Sequence, residues 1–288
     1  MAARLSLGIA LVVASGIASL AQSLPAPPGP NAPAFEVASI KRNLTDDKGP
    51  RRIEPDRFVS IGWPLRYVIA TAYRAKGFQV VGGPTWVDTD FFDINAKAPE
   101  KTPAADILPM LRGLLTQRFK LRTHVEQREM PVYVLVLARA DGRLGPGMRR
   151  TTQNCVQLRA EGKTTSGKPG EFPVCASRLR AMSPKGVATL EMAEGGISIA
   201  AFIANMSGYL PDRLVIDRTG LKGDFDIQLQ FELPGAGPAP TTPDATTPVD
   251  DAPTLFNAVQ QQLGLKLQSE RAPVDVLVID SVEPPTRD

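Results

Sequence analysis

Residues 114–138, LLTQRFKLRTHVEQREMPVYVLVLA, constrain this chain more than any other stretch, because a diluted copy returns at 258–281 as AVQQQLGLKLQSERAPVDVLVIDS. Each copy reads as the end of an amphipathic helix, a strand with one apolar face, a Pro turn and a second strand. In the first copy Phe119, Leu121 and Val125 fall on one side of an alternating strand. Lys120, Arg122, His124 and Glu126 fall on the other. Residues 132–137 are apolar on both sides, the pattern of a strand covered on two faces. A chain that carries this block twice is expected to hold two structural units of one kind.

The segments upstream of the two blocks keep the same order. In the first unit, 35–40 and 58–61 read as strands separated by a charged loop at 43–52. Pro64 opens a helix whose apolar face is Leu65, Val68, Ile69, Ala72 and Tyr73, with Gly77 expected to end it. Strands at 78–81 and 91–96 flank the turn Gly82-Gly83-Pro84. Ile107, Leu108, Met110, Leu111, Leu114 and Leu115 then form a second helical face. The second unit offers strands at 189–192 and 196–199, and a helix on Ile199, Phe202, Ile203 and Met206. Strands at 214–217 and 225–231 follow around a turn bracketed by Gly220 and Gly223, then a helix carrying Leu255, Phe256, Val259 and Leu263. Phe92-Asp93-Ile94 matches Phe225-Asp226-Ile227, Pro131 matches Pro273, and His124 is replaced by Gln268. The expected class is α+β, two tandem repeats of strand-helix-strand-strand-helix-strand-strand at 35–138 and 187–288.

The rest of the chain reads as leader and connections. Arg4, the apolar run 5–20 and the small residues before Gln22 have the form of a signal peptide over 1–21, cleaved after Ala21. The run is short for a bilayer span, no basic stop-transfer cluster follows it, and no cysteine lies at the cleavage point to carry a lipid. A periplasmic or secreted protein with no stable membrane span is therefore expected. Residues 22–34 read as a flexible Pro/Ala/Gly tether, and 233–251 as a disordered Pro/Thr/Asp-rich insertion. Between the units, 139–186 reads as a long basic connection holding the chain's two cysteines, Cys155 and Cys175. An even count in an oxidising compartment favours a disulfide between them, stabilising by about 3 kcal/mol. A metal site would need further ligands that this segment lacks.

Charge and chemistry narrow the function. The net charge is +3, but 107–186 holds fifteen Lys/Arg against five Asp/Glu and 187–288 six against fifteen. The two parts either attract one another or solvate opposite faces, or the basic part meets an anionic glycan. An exported chain with scattered aromatics argues against nucleic acid. His124 is the sole histidine, on a polar strand face, and reads as a solvated or salt-paired side chain rather than a catalytic base. Asp88, Asp90 and Asp93, and again Asp217, Asp224 and Asp226, cluster near turns, where aspartate bonds the local backbone. Trp86 and Tyr133 could stack on a sugar or peptide, but one aromatic each is more often packing. No phosphate-cradling glycine loop or zinc-peptidase motif is present, so no catalytic, cofactor or metal residues are assigned.

The element order resembles the secretin and TonB-receptor short N-terminal domain, which implies a module for contacts between proteins. Five motifs in order give a second resemblance: FEVASIKRN at 35–43, GGPTWVDTDFFDINAKAP at 82–99, RFKLRTHVEQREMPVYVLVLA at 118–138, VIDRTGLKGDFDIQLQF at 215–231 and QLGLKLQSERAPVDVLVID at 262–280. They are similar to an uncharacterised exported domain-of-unknown-function family of acidobacterial type, sometimes attached to antirepressor metallopeptidases of the β-lactam-sensor kind. The resemblance implies no catalytic residues. The expectation is a non-enzymatic binding or sensory module with envelope or extracellular protein partners. The alternatives are an envelope hydrolase using Asp or Glu, and a glycan- or cell-wall-binding protein.

Overall fold

The computed structural model describes residues 23–29, 32–45, 48–182, 188–233 and 253–285. The expected leader and nearly all of the 233–251 insertion lie outside the described residues. The architecture is α+β. The first outer sheet has the order β1-β5-β3-β2, from β1 (Val37–Asn43), β2 (Arg51–Glu54), β3 (Arg57–Pro64) and β5 (Phe91–Lys97). Over it lie α1 (Leu65–Ala72) and α3 (Ile107–Arg118), with a short α2 (Trp86–Thr89) preceding β5. Helix α3 buries Ile107, Leu108, Met110, Leu111, Leu114 and Leu115, the stripe set by their helical spacing. Helix α1 stops at Ala72, short of Gly77, and Arg74 turns the chain with φ 52°.

The second outer sheet has the order β7-β11-β9-β8, from β7 (Met148–Arg150), β8 (Ser177–Met182), β9 (Thr189–Ser198) and β11 (Asp224–Glu232). Its helices are α5 (Ile199–Met206) and α6 (Leu255–Leu263). The connection at 139–186 is therefore not a plain loop. It supplies both edge strands of this sheet, β7 and β8, and a short helix α4 (Cys155–Ala160) between them. Gly145 N and Gly147 N donate to the carbonyls of Leu263 (2.9 Å) and Gln262 (2.7 Å), which fixes the start of the connection to the end of α6.

A third sheet, β10-β6-β12-β4, joins the two halves. Its centre is an antiparallel pair of long strands, β6 (Arg122–Leu137) and β12 (Leu265–Ser281), in register from Leu137↔Leu265 to His124↔Val278. Each long strand reaches into the other half. β4 (Val80–Gly82) runs parallel to β12, and β10 (Val215–Asp217) parallel to β6. Leu277 and Ile279 of β12 sit in the first core with Phe58, Phe92 and Phe119, and Leu135 of β6 sits in the second with Phe202, Phe225 and Phe231.

The expected Pro turns at Pro131 and Pro273 are corrected, because both residues lie inside continuous strands, paired with Arg271 and Glu129. The reason is direction. Tyr133 N donates outward to Leu214 O at 2.8 Å, so Pro131, two residues earlier, also aims its nitrogen away from β12. Asp275 O likewise accepts from Gln79 Nε2 at 2.9 Å on the β4 side, and Pro273 shares that direction. Neither proline removes a β6–β12 hydrogen bond. The tether expected at 22–34 also makes packing contacts, since Leu24 lies against the first core.

Candidate functional site

His124 stands on the central sheet, with 52% of its side chain exposed. Its Nδ1 lies 2.7 Å from Asp280 Oδ1, and Nε2 lies 3.8 Å from Glu126. Both partners of the ring are acids, and among the described residues no hydroxyl or thiol meets it. The ring lies between two carboxylates on the polar face of its strand.

The aspartates divide by role. Asp88 takes both forks of Arg66, with Nη2–Oδ2 at 2.8 Å, and those hydrogen bonds hold its carboxyl below the ordinary carboxylate value. Asp90 pairs with Arg42 at 2.9 Å, and Asp217 accepts from the N and Oγ1 of Thr219, both at 2.8 Å, closing a local turn. Asp93 and Asp226 do something the turn reading did not anticipate. Between β3 and β5 the register shifts around Gly62, with φ 65°, and Asp93 Oδ1 accepts from Gly62 N and from Asn43 Nδ2, each at 2.8 Å. Between β9 and β11 the register shifts again, and Asp226 Oδ1 accepts from Gly196 N at 3.1 Å, where φ is 62°. Each carboxylate locks a β-bulge by satisfying the amide that the bulge removes from the ladder.

The second bulge is also where the connecting segment docks. Cys155 and Cys175 form a disulfide with Cα atoms 5.2 Å apart, both buried. A Cβ on Gly196 would lie 2.1 Å from Cys155 Sγ, and one on Gly195 would lie 2.1 Å from Pro173 O, so this approach requires glycine at both places. Arg178 of β8 adds an ionic clamp. Its Nη2 is 2.7 Å from Glu191 Oε1 and 2.8 Å from Glu171 O, and Nη1 donates to Ser166 O. The pair is nearly enclosed, at 10% and 6% side-chain exposure. Burial pushes the Glu191 carboxyl up, but the hydrogen bonds and charge of Arg178, with Gln228, carry it below its ordinary value. Disulfide and clamp are structural fastenings.

A cleft of about 390 Å³ opens where the second core reaches the surface. Its walls carry Tyr133 from β6, Tyr209 from the turn after α5, and Phe256 from the first turn of α6. Tyr133 and Phe256 meet edge to face at 5.1 Å, and Tyr209 meets Phe231 the same way at 5.2 Å, which fixes the rings. Leu210, Leu233 and Leu255 add apolar surface, and Asp212 and Glu232 are the acidic residues of the lining. Tyr133 OH lies 3.5 Å from Asp212 Oδ2, and the Arg213 guanidinium sits 4.9 Å from the Tyr133 ring centre while pairing with Asp212 at 3.3 Å. Of the two aromatics proposed from sequence, Tyr133 joins this site. Trp86 packs edge-on against Phe92 at 6.2 Å, against the first core.

The rest of the cleft was not read from sequence, because its parts are far apart in the chain. One local signal existed. The buried stripe of α6 is Leu255, Ala258, Val259 and Leu263, so Phe256 falls beside the stripe, not within it, and is 38% exposed. Its assignment to the apolar helical face is corrected accordingly. Among the described residues no group of His, Cys, Asp and Glu side chains has the arrangement of a metal site. No described helix is long and apolar enough to cross a membrane.

No curated protein and no solved structure matches the chain. One family model does match, over residues 66–282, from the second residue of α1 to one residue past β12. That span contains both helical layers, the central sheet and the cleft, and by it the chain belongs to the DUF3738 family of proteins of unknown function.

Proposed function

We propose that the chain is an exported, non-enzymatic binding or sensory module, and that its ligand enters the cleft of Tyr133, Tyr209 and Phe256. The observation that carries this reading is the exposed ring of Phe256, held edge to face on Tyr133 over a cavity that a small ligand or a peptide side chain can fill. Four acidic groups of the bulges and clamps are otherwise engaged, Asp88 by Arg66, Asp93 and Asp226 by bulge amides and Glu191 by Arg178, which favours this reading over the hydrolase. The exported setting rests on the apolar leader and fits a buried disulfide.

The module is read as two intertwined copies of one α+β unit, of the secretin and TonB-receptor short N-terminal kind. Two matches support it. Asp93 with Gly62 and Asp226 with Gly196 make the same bulge clamp. Met130 and Ala272, which directly precede the corresponding prolines, pair with each other, as residues on a two-fold axis between copies do. Kinship with exported proteins attached to antirepressor metallopeptidases would make the cleft the input of a sensor.

The test is retention of purified protein on cell-envelope fractions, comparing the wild type with Phe256→Ala. Loss of retention at an unchanged melting temperature is the expected result. Release of envelope fragments by the protein, abolished by substituting one of its carboxylates, would replace this reading with the hydrolase.

A further inference from the structure

The first half carries a cavity of its own, of about 510 Å³, between the C-terminal end of α1 and the first turn of α3. Arg74 and Arg112 are its charged residues, and its lining holds no Asp or Glu. Among the described residues neither arginine has an ion pair. Arg112 is only partly satisfied. Its Nη1 donates to Ala72 O, the last residue of α1, at 2.9 Å, while its Nε is buried and has no hydrogen-bond partner among the described residues. The guanidinium sits 5.6 Å from the ring centre of Tyr73, itself a buried residue. Burial first, and then the nearby charge of Arg74, hold Arg112 below its ordinary pKa against the opposing pull of Tyr73. Arg74 is placed beside it against the preference of its own backbone. Its φ is 52°, two residues past the end of α1, where glycine or asparagine is the usual occupant. The negative end of α1 accounts for one of the two cations, since Ala72 O takes Arg112 Nη1. The other remains uncompensated in a partly closed site, which an anion would relieve. The remaining walls choose among anions. Leu108 and Pro109 come from α3, and Leu24 and Pro25 from the segment before β1, with Leu24 packed on the first core. One missing negative charge and apolar walls fit a monoanion with an apolar body, and a planar carboxylate matches the guanidinium fork.

We infer that this cavity binds a small organic carboxylate, its oxygens held by Arg74 and Arg112 and its apolar body against Leu24, Leu108 and Pro109. The site is separate from the cleft of Tyr133, Tyr209 and Phe256, and either can stand if the other falls.

The experiment is titration calorimetry on the full folded protein at low salt with four probes: benzoate, hexanoate, benzamide as a neutral isostere, and inorganic phosphate. A carboxylate is expected to bind, with benzamide and phosphate about tenfold weaker or more, and added salt should weaken the carboxylate. Arg112→Gln is expected to reduce carboxylate binding about tenfold. Arg74→Gly asks the same question without threatening the fold. Glycine suits the left-handed backbone there, so the melting temperature should hold or rise while carboxylate binding falls about tenfold. Carboxylate binding unchanged in Arg74→Gly would leave that residue to the helix end alone and overturn the inference. Equal binding of benzamide, phosphate binding tighter than either carboxylate, or no binding by any probe at millimolar concentration would overturn it as well.

Discussion

At the scale of single residues, the aspartates show how a side chain of catalytic type is absorbed by backbone needs. Asp226 is 4% exposed and divides its two oxygens between Gly196 N and Arg149 Nε, at 3.1 and 3.0 Å. Asp226→Asn keeps the shape and removes the charge, and should cost about 1.5–3 kcal/mol in denaturant unfolding, the range for a hydrogen bond to a charged group. A change under a few tenths would mean that the bulge holds itself. Glu191 gives a pH signature. Its folded carboxyl titrates below its ordinary value of 4.5, so the stabilisation it lends is whole above that pH. It is lost as pH falls through the lower folded value. Arg178→Met should flatten that acid limb of the stability curve, and an unaltered limb would refute the role of the clamp.

At the scale of elements, helices were more legible than strands. α1, α3 and α5 were readable because apolar residues recur at helical spacing, and Leu65, Val68 and Ile69 or Phe202, Ile203 and Met206 are the residues they bury. β9 was read as two pieces because Gly195-Gly196 shifts its alternation, which is what a bulge does to a period of two. β6 and β12 were broken at Pro131 and Pro273, since locally a proline in such a run is a turn signal. Whether its missing N–H matters depends on the direction of that nitrogen relative to β10 or β4, and the surrounding sequence does not encode it. Pro131→Ala should therefore change stability by well under 1 kcal/mol (about the scale of a small unfolded-state entropy effect), and a loss above 2 kcal/mol would refute this geometry. β7 is too short to show a period, and β8 inverts the usual pattern, enclosing Arg178 and exposing Leu179. With their sheet in view, the disulfide fastens a layer onto β9. Reduction, or Cys155→Ala with Cys175→Ala, should cost about 3 kcal/mol and open 161–176 to proteases first. Proteolysis that begins elsewhere would argue that Arg178 alone holds the segment.

At the scale of the whole molecule, each half is completed by the other. Two repeated blocks in a row would ordinarily be read as two beads, each with a private core. Here β12 delivers Leu277 and Ile279 to the first core, and β6 delivers Leu135 to the second. Polar contacts cross as well: Lys76 Nζ donates to Ser207 O at 2.8 Å, and Gln79 Nε2 to Asp275 O at 2.9 Å. The cleft shares this dependence, because Tyr133 belongs to the first half and Tyr209 and Phe256 to the second. A fragment of 23–138 would expose the whole β12-facing edge of β6 and the apolar face that Leu277 and Ile279 cover. A fragment of 139–285 would expose the converse. Unpaired strand edges and open apolar faces of that extent favour aggregation over a native fold. Each fragment alone should lack a cooperative thermal transition by circular dichroism. Mixed at equal concentration, the two should recover one transition and, with it, retention on cell-envelope fractions. A fragment that melts cooperatively by itself would show that the halves are independent domains that touch, and the cleft would then have to be sought within one of them.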